Sequence, residues 1–227
     1  CGIRGPSFRA ASLDDGNSTQ TRPGGSSKRQ GVLRIVGGVE ARPIEFPWQI
    51  SLRRRAPFTN EDQGHSCGGS IISEQYIVTA AHCVEGPYAY PSSFVVVVGD
   101  QSIFQRDATE DGFAVESRCS EGGSSLPPRL QKADLPIVDH NVCRHYYSHV
   151  MEVYDDTMVC AGPMYGGRGV CQGDSGGPLQ CRRSDGRYVL AGATSWGVKC
   201  AGQNQPGVFA KISTQVDWIK YVAGITT

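Results

Sequence analysis

Cys171-Gln172-Gly173-Asp174-Ser175-Gly176-Gly177-Pro178 sets a serine between glycines. Such glycines let the backbone turn tightly, expose the hydroxyl and leave neighbouring N–H groups free to hold an oxyanion. A serine is a weak nucleophile at its own pKa, so acyl transfer at Ser175 needs a base, and the base needs an orienting group. Thr79-Ala80-Ala81-His82-Cys83 supplies an imidazole suited to general base and acid work. The acidic residues between His82 and Ser175 include none whose setting marks it as the orienter. Asp100 begins a polar loop that also carries Asp107, Glu110 and Asp111, which read as solvated charges. The lesser reading is a calcium loop through Asp100 and Glu110, because hard oxygen ligands on a turn suit that ion. His65, His140, His145 and His149 have no metal-ligand spacing with carboxylates or cysteines and read as surface or loop residues.

The elements that must position these residues read as β-structure. Short runs rich in β-branched residues, such as Ile71-Ile72, Tyr76-Ile77-Val78, Phe94-Val95-Val96-Val97-Val98 and Tyr188-Val189-Leu190, alternate with turn residues. That spacing favours an all-β sandwich or barrel over βαβ units. Only the tail from Val216 to Val222 carries a helical stripe, through Val216, Ile219 and Val222. Residues 1–34 are rich in Gly, Ser, Thr, Arg and Gln and read as a flexible propeptide ahead of a domain over 35–227. A chain of 227 residues can bury a substantial core in one unit or in two coupled barrels. Lys plus Arg and Asp plus Glu number 22 each, so no global attraction to nucleic acid or an anionic membrane is expected. Arg53-Arg54-Arg55 reads as a solvated basic loop, and no apolar stretch approaches a membrane span. Nine cysteines and the sequon Asn17-Ser18-Thr19 point to an oxidising, secreted setting. A start at Cys1 rather than Met fits a signal peptide already removed.

Seven motifs occur in a fixed order: Arg34-Ile35-Val36-Gly37-Gly38, Pro47-Trp48-Gln49, Gly68-Gly69-Ser70, Ala80-Ala81-His82-Cys83, Gly173-Asp174-Ser175-Gly176-Gly177-Pro178, Ser195-Trp196-Gly197 and Pro206-Gly207-Val208. With them the chain resembles the trypsin/chymotrypsin-like serine proteases, nearest their chymotrypsin- and elastase-like branch, from Ile35 to Val222. The resemblance implies two packed six-stranded antiparallel β-barrels with a short C-terminal helix. It makes Ser175 the nucleophile, His82 the base and then acid, and the Gly173 and Ser175 N–H groups the oxyanion hole. It implies a zymogen cut at Arg34-Ile35 by a trypsin-like protease, the freed Ile35 ammonium pairing with Asp174. Disulfides Cys67–Cys83, Cys143–Cys160 and Cys171–Cys200 follow from the same resemblance. Cys1, Cys119 and Cys181 are left over; Cys119 could partner Cys181, although its surroundings do not match the strand expected there. Protein or peptide substrates, protein protease inhibitors, a monomeric state and no cofactor complete the implied picture.

The pocket residues follow residue by residue. Gly169, six before the nucleophile, falls at the floor, Val170 narrows the deep end, Gly197 and Gly207 fall on the walls, and Gln172 is a further substrate-binding residue. Without an acidic floor the pocket favours uncharged apolar residues over Arg or Lys, and Ser195-Trp196-Gly197 pairs with the substrate backbone as an added strand. One stretch departs from the family. Between Phe113-Ala114-Val115-Glu116 and Ser120-Glu121-Gly122-Gly123-Ser124 the chain is too short, and Ser117-Arg118-Cys119 reads as a seam. The last strand of one barrel, the linker and the first strand of the other are absent, and with them the aspartate that fixes the histidine tautomer. Asp134 fits a later strand and does not replace it. The alternative to an active endopeptidase is therefore a non-catalytic homologue with a binding or regulatory role, or an unproductive splice product.

Overall fold

The computed structural model describes residues 35–86, 90–102, 111–114 and 129–226. Cys1, Arg34, Asp107, Glu110, Cys119 and the seam at 117–119 lie outside them.

A short strand β1 (Val39–Glu40) precedes a first antiparallel sheet made of β2 (Gln49–Arg55), β3 (Asp62–Ile71), β4 (Ile77–Val78), β5 (Phe94–Val98) and β6 (Asp111–Ala114). Their spatial order is β4-β3-β2-β5-β6. The valine run of β5 suits a pleated, packed surface, and its Phe94 and Val96 join Ile50, Leu52, Cys67, Ala80 and Cys83 in one core. Arg53-Arg54-Arg55 is not a solvated loop: it forms the end of β2, where register shifts against β3 accommodate it. The Arg53 guanidinium donates to Asp100 Oδ2 at 2.9 Å, and the Asp100 side chain is only 3 % exposed. An internal cation thus already sits on the carboxylate that the sequence offered to calcium. Among the described residues no group of three or more His, Cys, Asp or Glu could hold a metal.

After β7 (Gln131–Lys132), which pairs with β1, the second sheet is built from β8 (Ile137–Val138), β9 (Met158–Ala161), β10 (Pro178–Arg182), β11 (Tyr188–Trp196) and β12 (Gly207–Lys211). The order is β10-β11-β12-β9-β8, again antiparallel. Helix α1 (His140–Tyr147) was not legible as a helix, because its apolar positions are few. Asp139 starts it, accepting from the N–H groups of Asn141 and Val142, and the Cys143–Cys160 disulfide fastens it to β9. The tail helix α2 (Val216–Ala223) forms where the stripe placed it and ends at Gly224, whose φ of 63° lets the chain turn out of the helix. Its Trp218 and Tyr221 are 63 % and 86 % exposed.

Each sheet has five strands among the described residues, one fewer than a closed six-stranded barrel. Among the described residues β10 pairs with β11 alone, and β8 with β9 alone. Between them opens a cavity of about 600 Å³, lined from one side by Leu179, Gln180 and Cys181 and from the other by Leu135, Pro136 and Ile137. Among the described residues Cys181 has no disulfide partner. The two sheets are held together by long-range bonds: Trp48 Nε1 donates to Gln180 Oε1 at 2.6 Å, and Gly68 N donates to Ser175 O at 2.8 Å.

Candidate active site

Ser175 sits in a turn pinned from three directions. Gly68 N on β3 donates to Ser175 O, Gly176 N donates to Thr194 O on β11, and Gly177 N donates to Asp174 O, each at 2.8 Å. Gly176 adopts φ +76°, and a Cβ on it would stand 2.1 Å from Thr79 Oγ1 and 2.5 Å from Gly68 O. Only glycine allows the serine turn to press against the strand that leads to His82. Gly68 answers it, since a Cβ there would meet Gly177 Cα at 2.9 Å. The N–H groups of Gly173 and Ser175 have no hydrogen-bond acceptor among the described residues.

The turn is braced from behind. Ile35 N and Cys171 N both donate to Asp174 Oδ2 at 2.8 Å. Val36 and Gly169 exchange backbone hydrogen bonds, holding the segment after Arg34 against the pocket loop. His65, assigned from sequence to the surface, is half-buried here. Its Nε2 lies 3.1 Å from Gly173 O and its Nδ1 2.7 Å from Ser51 Oγ. A carbonyl oxygen only accepts, so Nε2 donates to it; in the neutral ring Nδ1 then accepts from the serine hydroxyl. The sequence signal was weak: a lone histidine in a polar run at the start of β3.

His82 lies in a single 3₁₀ turn over Ala81–Cys83, closed by Cys83 N to Ala80 O and clamped to β3 by Cys67–Cys83. Burial pushes its pKa below the ordinary 6.5, and the carboxylate of Glu85 pushes partly back. Among the described residues the His82 ring makes no hydrogen bond to Ser175 or to any carboxylate. Asp134 is exposed, follows β7 and lines the large cavity.

Beside Ser175 lies a pocket of about 170 Å³. Ser195, Trp196 and Gly197 form one wall, and Cys171-Gln172 with the Cys171–Cys200 disulfide forms another. Val170, Ala201 and Gly207 also line it, whereas Gly169 does not: it backs onto Ala201, where a Cβ would meet Cα and N at 3.2 Å. Gly207 does not leave open room either. A Cβ there would come within 2.6 Å of Val170 Cγ2, so the valine already fills that space. Gly197 faces open space. The three cystines match the pairings implied by the resemblance.

Two antiparallel sheets with a short C-terminal helix match the all-β fold that the sequence motifs implied, each sheet one strand short of six among the described residues. The family pattern described as Trypsin matches residues 35–125 and 118–219, and the chain belongs to the trypsin-like serine proteases. It is 33 % identical over 241 residues to transmembrane protease serine 9 of Rattus norvegicus, a match covering 82 % of this chain and 22 % of that protein. It is 34 % identical over 245 residues to serine proteinase stubble of Drosophila melanogaster, covering 82 % of this chain and 30 % of that protein. The chain spans less than a third of the length of either relative.

Proposed function

We propose that this chain is a secreted serine endopeptidase zymogen, activated by a trypsin-like cut at Arg34-Ile35, that cleaves peptides after uncharged apolar residues with low turnover. The observation that carries the reading is the pinned serine turn with its two unspent amides. In the reaction, His82 takes the Ser175 hydroxyl proton as Oγ attacks the substrate carbonyl. The Gly173 and Ser175 N–H groups hold the resulting oxyanion, and His82 returns the proton to the leaving amine. Water then reverses the sequence on the acyl ester. The cut at Arg34-Ile35 converts Ile35 N into an ammonium 2.8 Å from Asp174 Oδ2, which strengthens the brace behind the oxyanion amides. Protein protease inhibitors would enter as substrates do, along Ser195-Trp196-Gly197.

Low turnover follows from His82. With no acceptor for its other ring nitrogen among the described residues, the tautomer that receives the serine proton is not held. Loss of that orienter costs about 10⁴ in turnover, while about 10³ to 10⁴ of catalysis over water persists from binding and the oxyanion hole. Two further observations support a missing stretch. The match to the rat relative runs over 241 residues, more than the 227 of this chain, so it crosses positions this chain lacks. The family pattern matches in two pieces that overlap at 118–125, next to the seam. The same observations, with a β10 edge that no described strand covers, favour the second reading, a non-catalytic homologue or unproductive splice product. Fluorophosphonate labelling of the cut chain, beside its Ser175→Ala variant, decides between them. Labelling at Ser175 with slow hydrolysis of Val- or Leu-ended substrates supports the enzyme; a folded chain that neither labels nor turns over is the homologue.

A further inference from the structure

The five strands of the second sheet alternate in direction, so its outer strands, β10 and β8, run the same way. Closing directly on each other would demand a parallel ladder in a sheet that is otherwise antiparallel. One further strand, antiparallel to both, would complete the two ladders at once. Among the described residues the backbone N–H and C=O groups of Leu179 to Arg182 find partners on β11 alone. The cavity of about 600 Å³ lies between these two edges. We propose that this cleft is a strand-acceptor site for an extended segment of a partner protein. The segment lies antiparallel to β10, with an acidic residue at its N-terminal end and aliphatic residues at alternate positions.

The lining sets that pattern. Along β10, Leu179 and Cys181 share one face, and Gln180 and Arg182 the other. Leu179 is buried with Phe209, and Leu135 packs against them, so aliphatic side chains belong opposite Leu179 and Cys181. Gln180 is turned toward the first sheet, where its Oε1 accepts from Trp48 Nε1, so a small polar residue belongs opposite it. Arg182 is exposed, and neither it nor Arg183 makes an ion pair among the described residues. The carboxylate of their hairpin, Asp185, is taken by Arg187. An antiparallel segment brings its N-terminal end beside Arg182, where a carboxylate meets that uncompensated charge. A cavity of about 150 Å³ takes one benzene ring, so this one has room for about four side chains of that size. A second copy of the chain does not suit the cleft. Its β10 has one ladder free and could serve one edge, whereas a single extended segment offers a ladder to each.

The probe is a fluorescein-labelled peptide, Glu-Val-Thr-Leu-Thr-Val, which sets its Glu beside Arg182, the first Val beside Cys181, Thr beside Gln180 and Leu beside Leu179. Titrated into the full chain and followed by anisotropy, it should saturate at one peptide per chain. At about ten times its Kd it should slow maleimide labelling of Cys181 about tenfold, because the peptide covers the thiol. Proline in place of the first Thr removes a ladder donor and should weaken binding at least about tenfold. A peptide starting with Lys should bind about threefold more weakly than the parent, and Arg182→Glu, an exposed substitution, should reverse that preference. Equal binding of the proline and parent peptides, Cys181 as reactive with peptide as without, no reversal in Arg182→Glu, or no binding overturns the proposal. So does protection of Cys181 before any peptide is added: a monomer would then cover its own edge, and a dimer would cover it with a second copy. Binding here needs no step at Ser175, so the result stands apart from whether the chain turns substrate over.

Discussion

Replacing Gly176 by alanine tests the packing that presents Ser175. The substitution adds one methyl group in two kinds of conflict. At φ +76° an L-residue costs about 1 kcal/mol relative to glycine. The added Cβ would also stand 2.1 Å from Thr79 Oγ1 and 2.5 Å from Gly68 O, which are themselves joined by a 2.7 Å hydrogen bond. Backbone cannot move out of the way as a flexible side chain can, so that hydrogen bond is lost at about 1 kcal/mol, and residual strain adds about 1 to 2 kcal/mol. Gly64→Ala is the matched control: φ is +82° and nothing lies within 4 Å of its Cβ. The control should lower stability by about 1 kcal/mol, and Gly176→Ala by about 3 to 4 kcal/mol, near 10 °C in Tm for a chain of this size. Urea unfolding followed by circular dichroism measures both. Displacing the turn by about 1 Å should also slow fluorophosphonate labelling at Ser175 by about 10²-fold, while the control labels at the wild-type rate. Equal stability losses in the two variants would refute the claim that this close approach, rather than backbone conformation, requires glycine at 176.

Further outcomes follow from the same geometry. Because burial holds the His82 pKa below 6.5, the acid limb of labelling or hydrolysis should have its midpoint below that value, and Glu85→Gln should move it lower still. Between the lowered folded value and the ordinary one the unfolded chain binds the extra proton, so acidification through that window also removes stability, and thermal unfolding against pH should show it. Asp174→Asn should leave the cut chain labelling no faster than the uncut one, since a neutral amide cannot hold the Ile35 ammonium; a full gain on cutting would contradict the brace. Cys181, on the edge of β10 that no described strand covers, should take one maleimide in the native chain, as peptide mapping would show, while the cystines at 67–83, 143–160 and 171–200 stay unlabelled. A native chain in which Cys181 stays unreactive would mean that the edge is covered.

What the sequence determined by itself is what depends on neighbours along the chain. Glycines around Ser175 permit its turn whatever lies beyond it, the β-branched run of β5 makes a strand, and the stripe from Val216 to Val222 makes a helix. The disulfide partners came from the family resemblance that the motifs carry, not from the spacing of the cysteines. Helix α1 escaped notice because its buried face is only Cys143 and Tyr147, one turn apart, and the Asp139 cap and the Cys143–Cys160 clamp complete it. The tertiary structure decided everything that joins distant segments. It turned His65 from a surface residue into the brace of Gly173, 108 positions away, and moved Arg53 from a solvated loop onto buried Asp100. It took Gly169 out of the pocket and filled the space at Gly207 with Val170. Pattern along a chain reports how a backbone turns and which faces are apolar. Distances between residues a hundred positions apart arise only when the two sheets close on each other, and the size of a pocket is set by those distances.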